Sequence, residues 1–147
     1  MMFIEALLQK AREKLVVIED GARLIDAAKL LRRGTDLVIV TDPAGILVGV
    51  VTRTDIVNQF GFCEESSCVA DIPLQVTRNV LSCRSGDKIE DVWEKIKAKG
   101  VQNIPVTEEG GRPIGVLSAR DVFEVLLGES KDEEALLRDY VTGVGYR

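Results

Sequence analysis

The chain contains no histidine. That removes the side chain most often used as a general base near neutral pH and the commonest ligand for zinc. Aromatic residues make up only 5% of the 147 positions. No apolar run approaches the roughly 20 residues that a membrane helix needs. The start, Met1-Met2-Phe3-Ile4-Glu5, has no basic stretch and turns acidic early, so no signal peptide is expected and the protein is read as cytoplasmic. A concentrated basic face is also lacking. The net charge of −5 argues against nucleic acid as a main partner. It leaves room for a small anion held by a few local donors.

The three cysteines are Cys63, Cys68 and Cys83. An odd number without a secretory context does not suggest a disulfide framework. Glu64 to Ser67 lie between the first two, a poor zinc spacing. We read the cysteines as small, half-buried thiols rather than a three-thiolate metal site or a nucleophile. What is abundant is apolar residues, 46% of the chain, a globular composition.

The pattern is organised around one stretch, Gly49-Val50-Val51-Thr52-Arg53-Thr54-Asp55. An apolar run from Ile46 leads in, and a helical pattern through Ile56, Val57 and Phe60 leads out. Sixty-six residues later the pattern returns as Gly115-Val116-Leu117-Ser118-Ala119-Arg120-Asp121. The flanks repeat too. Leu15 to Ile18 and Val80 to Cys83 read as short strands. Leu24, Ala27, Ala28 and Leu31 step along one helix face, as do Ile89, Val92, Trp93 and Ile96. Gly34 and Gly100 are candidate helix C-caps. Leu37 to Val40 and Asn103 to Val106 are buried-strand patterns. Turns at Thr41 to Gly45 and at Glu109 to Pro113 close antiparallel hairpins.

Each unit therefore reads strand-helix-strand-strand-helix. Two copies cannot make a solenoid, so they are expected to pack as a pseudo-symmetric pair, sheet against sheet, in an α/β (α+β) fold. The boundaries are an N-terminal amphipathic helix at 1–14, a first domain at 15–61, a connector at 62–75, a second domain at 76–128, and a C-terminal helix and tail at 129–147. Ser130 to Glu133 has capping-box spacing. The first helix presents Phe3, Ile4, Leu7, Leu8 and Ala11 on one side. Two roles are open for it, covering the core or forming a dimer contact. Trp93 is read as core. Arg32, Arg33, Lys95, Lys97 and Lys99 are read as solvated helix faces.

Two such units, each closing with glycine, two apolar residues, Thr or Ser, two further residues and Asp, resemble a tandem pair of CBS (cystathionine-β-synthase) domains, also called a Bateman module. The resemblance covers about residues 15–127. Val76-Thr77-Arg78-Asn79-Val80 also resembles the family's usual opening of its second domain, with Val76 where methionine is common.

The resemblance implies a regulatory, non-enzymatic module with no catalytic cofactor. It would bind an adenosine-containing ligand in clefts between the domains: AMP foremost, or ADP, ATP, NAD or S-adenosylmethionine. One cleft would join Thr52, Arg53, Thr54 and Asp55 to Ser82, Asn103, Ile104 and Pro105. The other would join Ser118, Arg120 and Asp121 to Val17 and to Thr35, Leu37 and Val38. The Asp would accept the ribose hydroxyls, the Thr or Ser would contact phosphate, and the arginines could grip it bidentately. Asn103 and the backbone at Ile104 and Val38 would face the base. Ser82 offers a hydroxyl where the other cleft has Val17, so the Asp55 cleft is expected to bind more tightly. The family's habit of pairing modules implies a homodimer that signals to a separate effector protein.

Other readings remain beside this one. Thr52, Thr54, Asp55, Ser118 and Asp121 are good helix N-caps, which would need no ligand. The module could be a partner-binding dimer with vestigial clefts. A nucleotide hydrolase would need a metal or a base beside the phosphate.

Overall fold

The computed structural model describes residues 2–31, 34–61 and 73–129. The connector positions 62–72, with Cys63 and Cys68, lie outside the described residues. So do Arg32, Arg33 and the expected C-terminal helix and tail at 130–147.

The chain opens with a 3-10 turn, Ile4–Leu7, that continues as α1, Leu8–Glu13. The first unit then runs β1, Val17–Glu19; α2, Leu24–Leu30; β2, Leu37–Thr41; β3, Leu47–Thr52; and α3, Arg53–Phe60. The second runs β4, Cys83–Arg84; α4, Ile89–Lys99; β5, Asn103–Thr107; β6, Pro113–Ser118; and α5, Ala119–Glu129. Each unit forms one three-stranded sheet, in the orders β1-β2-β3 and β4-β5-β6. The outer pair is parallel and the hairpin antiparallel in both. Registers match as well: Leu37 pairs with Thr52 and Asn103 with Ser118.

The strands follow from their side chains. All five residues of β2 are buried, and β-branched residues fill its centre. Burying one such Val or Ile fully is worth about 1.5–3 kcal/mol. Helix α4 stops where Gly100 takes a left-handed φ of 68° and its N–H donates to the Ile96 carbonyl at 2.8 Å. The first strand of each unit starts later than the apolar run suggests. Leu15 and Val16 precede β1, and Val80 to Ser82 precede β4. Only the later residues form paired ladder positions, although the Val16 carbonyl already accepts from the Ile39 N–H at 2.9 Å.

The halves interlock through crossing segments. Ile4, Leu7 and Ala11 belong to the core of the second unit, with Ile89, Val92, Trp93, Leu117 and Val122. The N-terminal helix thus serves the core of a unit that lies far along the chain; Phe3, on the same expected face, is exposed. Leu74, at the far end of the connector, joins the first unit's core, and Thr77 bridges to Val50. Glycine makes both crossings possible. A Cβ on Gly115 would sit 2.8 Å from the Ala11 backbone, and one on Gly49 would meet Val76 and the Thr77 carbonyl. Between the sheets, Leu37, Ile39 and Val50 pack with Val116, so the two units share a core.

Candidate functional site

Each hairpin ends at a corner where strand turns into helix. At the first corner Thr52 is the N-cap of α3. The Asp55 N–H donates to Thr52 Oγ1 at 3.3 Å, and the Thr52 N–H donates to Asp55 Oδ2 at 2.9 Å. This reciprocal box satisfies two helix-end donors and turns the carboxylate back onto its own backbone. At the second corner the Asp121 N–H donates to Ser118 Oγ at 3.1 Å. Here Asp121 Oδ2 accepts a hydrogen bond from Lys14 Nζ at 2.8 Å. Burial of Asp121 works to raise its pKa, but the Lys14 ammonium, the Ser118 hydroxyl and the Lys10 charge outweigh it. The carboxyl is held below its ordinary value of 3.8.

The corners border two grooves. The larger, about 1330 Å³, is lined by Ser118, Arg120 and Asp121, by Asn103, by Lys14 and Asp36, and by Trp93 and Phe123. The smaller, about 560 Å³, is lined by Thr52, Arg53, Thr54, Leu37, Val50 and Asn103, and by Thr77, Asn79, Val80 and Leu81. Both units contribute to each groove. Asp36 and the Gly100–Asn103 segment line both, so the grooves share a wall. Arg53 pairs with Asp36 at 3.4 Å, and Arg120 pairs with Glu124 one helical turn on at 3.2 Å.

The expected site residues separate on this geometry. Thr52, Arg53, Thr54 and Asn103 come together in the smaller groove, joined by Leu37. Asp55, Ser82, Ile104 and Pro105 do not line it. Asp55 is committed to its capping box, and Ile104 and Pro105 are buried in β5. Ser82 lines neither groove, so the hydroxyl that favoured the Asp55 cleft is not at its wall. Ser118, Arg120 and Asp121 come together in the larger groove, but Val17, Thr35, Leu37 and Val38 do not join them there. Val17 is 42% exposed and Val38 is fully buried. The stretch from Thr35 to Val38 reaches that groove through Asp36 alone.

Several lining residues escaped sequence reasoning. Lys14 stands among the charged residues Lys10, Arg12 and Glu13 at the end of the first helix, yet it meets Asp121 from 107 positions away. Asn79 lines the smaller groove. The repeat held the signal for this pair. Lys14 stands four residues before Ile18 and Asn79 four before Cys83, and those two occupy the same place in their sheets. Trp93 is core, as its spacing predicts, and also forms part of the groove wall. Its ring lies 5.6 Å from that of Phe123, and Lys97 Nζ sits 5.9 Å from its centre.

No group of three metal-ligating side chains exists among the described residues. Cys83 is buried, and desolvation pushes its thiol up to about 12, so it is neither a ready ligand nor a nucleophile. No helix among the described residues is long and apolar enough to cross a membrane.

Comparison with known proteins places this geometry. The family model for the CBS domain matches residues 5–61 and again 69–128. Homoserine O-acetyltransferase of Methanohalobium evestigatum is 28% identical over 116 residues, which are 78% of this chain. The chain spans 22% of the length of that relative and of one other curated relative. Among solved structures, CBSX2 in complex with AMP aligns with a TM-score of 0.70 at 22% identity, covering 87% of this chain and 98% of that one. The CBS domain pair of protein MJ0100, in complex with 5′-methylthioadenosine and S-adenosyl-L-methionine, aligns with a TM-score of 0.70 at 18% identity. That match covers 88% of this chain and 99% of the other.

Proposed function

The chain belongs to the CBS-domain family, and on that premise we propose that it is a regulatory module whose inter-unit grooves bind an adenosine-containing ligand, AMP foremost. The observation that carries this reading is the second corner. There a Ser and an Asp from one unit open onto a large groove that the other unit helps to wall. A carboxylate accepts both protons of a ribose diol, and a hydroxyl with backbone N–H groups at a helix start suits a phosphate. The apolar faces of Trp93 and Phe123 suit a flat base. The adenosyl ligands in the MJ0100 and CBSX2 structures support the same chemistry. Occupancy shifts the module between two states by binding them unequally. A separate effector protein reads that shift from a cytoplasmic homodimer, and the module itself carries no catalysis.

The larger groove is the principal site, because its carboxylate faces the groove while that of Asp55 is folded into a cap. That same cap favours a second reading for the smaller groove alone, as a vestigial cleft that shapes partner binding. Titration calorimetry with AMP, ADP, ATP, NAD and S-adenosylmethionine tests both. Binding is expected for at least one ligand, weakened by Asp121→Ala by about 1.5–3 kcal/mol through lost charged hydrogen bonds. Absence of heat with all five would leave only the partner-binding reading.

A further inference from the structure

Resting on that adenosyl reading, we infer that Lys14 makes the larger groove selective for ligands that carry an anionic group beside the sugar. Lys14 directly follows α1, the helix packed into the second unit's core, so its position relative to Asp121 is fixed by that packing. Its ammonium lies 2.8 Å from Asp121 Oδ2, and both residues line the same groove with Ser118. An ammonium has three N–H donors, and Asp121 takes one. The others can serve an anion next to the carboxylate. A carboxylate has about four acceptor positions, so ribose hydroxyls and Lys14 can share Asp121.

Charge makes the residue decisive. A lone Asp121 would repel a phosphate placed near it, whereas the Lys14–Asp121 pair is neutral overall and still offers donors to the anion. The other cations at the groove have acidic neighbours on their own helices: Arg120 has Glu124 at 3.2 Å and Lys97 has Glu94 at 3.1 Å. At the equivalent place in the smaller groove stands Asn79, an uncharged amide. At the place where the crossing segment meets each groove, the two thus differ by one positive charge, Lys14 against Asn79.

Calorimetry with AMP and with adenosine, on the wild type, Lys14→Met and Lys14→Arg, tests the inference. The wild type is expected to bind AMP about tenfold or more tightly than adenosine, in line with charge-assisted hydrogen bonding. Lys14→Met should weaken AMP by about tenfold and adenosine by less than about threefold. Lys14→Arg should keep most of the preference, because it keeps the charge. Lys14 is partly exposed, so the variants are expected to melt near the wild type, which a thermal scan checks. An AMP-to-adenosine ratio in Lys14→Met within about twofold of the wild-type ratio would overturn the role of Lys14 while leaving the adenosyl reading intact. Wild-type protein that binds neither compound would overturn this inference, and the adenosyl reading falls with it only if ADP, ATP, NAD and S-adenosylmethionine give no heat either.

Discussion

The two corners carry one motif and do different things with it. In the first unit Asp55 closes on Thr52 and completes a helix cap. In the second, Asp121 meets Lys14, which arrives from the far end of the chain. The walls differ in the same direction. The second unit lines its groove with Trp93 and Phe123, where the first has Ala28 and Val57 at the matched positions, Val57 being 68% exposed. The comparison teaches that a duplicated motif fixes a backbone geometry, not a role. What differs is what the crossing segment delivers, a lysine at the larger groove and an asparagine at the smaller.

The comparison can be broken most forcefully at the wall. Trp93 is in the core and at the groove at once, with only 5% of its surface exposed. Trp93→Ala should cost about 3–5 kcal/mol, read as a lowered midpoint in chemical denaturation. A loss below about 1 kcal/mol would mean the second unit does not rest on this ring. Next come the two crossing points. Gly115→Ala and Gly49→Ala each push a methyl group into backbone of the segment above. Each should cost about 1–3 kcal/mol. Similar costs would extend the pseudo-symmetry from shape to energy. Hydrogen exchange should rise in α1 for Gly115→Ala, and around Thr77 for Gly49→Ala.

Much of this architecture was legible in the residues. The matched glycines, the helix faces at Leu24 and Ile89, and the hairpin turns each signal their element locally, so two strand-helix-strand-strand-helix units could be written down. Phe60 ends α3 where the pattern ends. What could not be read was contact between distant segments. The apolar face of Ile4, Leu7 and Ala11 shows that the helix is covered, but not that the second unit covers it. The same limit hid Lys14. A lysine beside other charged residues looks solvated until the fold sets it against Asp121. Ser82 and Val17 show the same limit: both match in the repeat, yet neither lines a groove.

The smallest expected effect tests the second corner directly, through pH. Asp121 is held below its ordinary 3.8 by the net action of Lys14, Ser118 and Lys10 against burial. A carboxyl whose folded-state pKa lies below its unfolded value binds fewer protons when folded, so it adds stability wherever it is ionised. That contribution is complete above 3.8 and is lost as pH falls through the lower folded-state value. Lys14 is 42% exposed, so solvent screens the pair and the gain at neutral pH is under about 1 kcal/mol. Denaturation of the wild type and Asp121→Asn should therefore differ by a small, constant amount between about pH 5 and 7, and converge in acid below the ordinary carboxyl range. High salt should shrink the same difference. A gap that persists in strong acid would mean that Asp121 acts through its shape and neutral hydrogen bonds, and the second corner would then resemble the first.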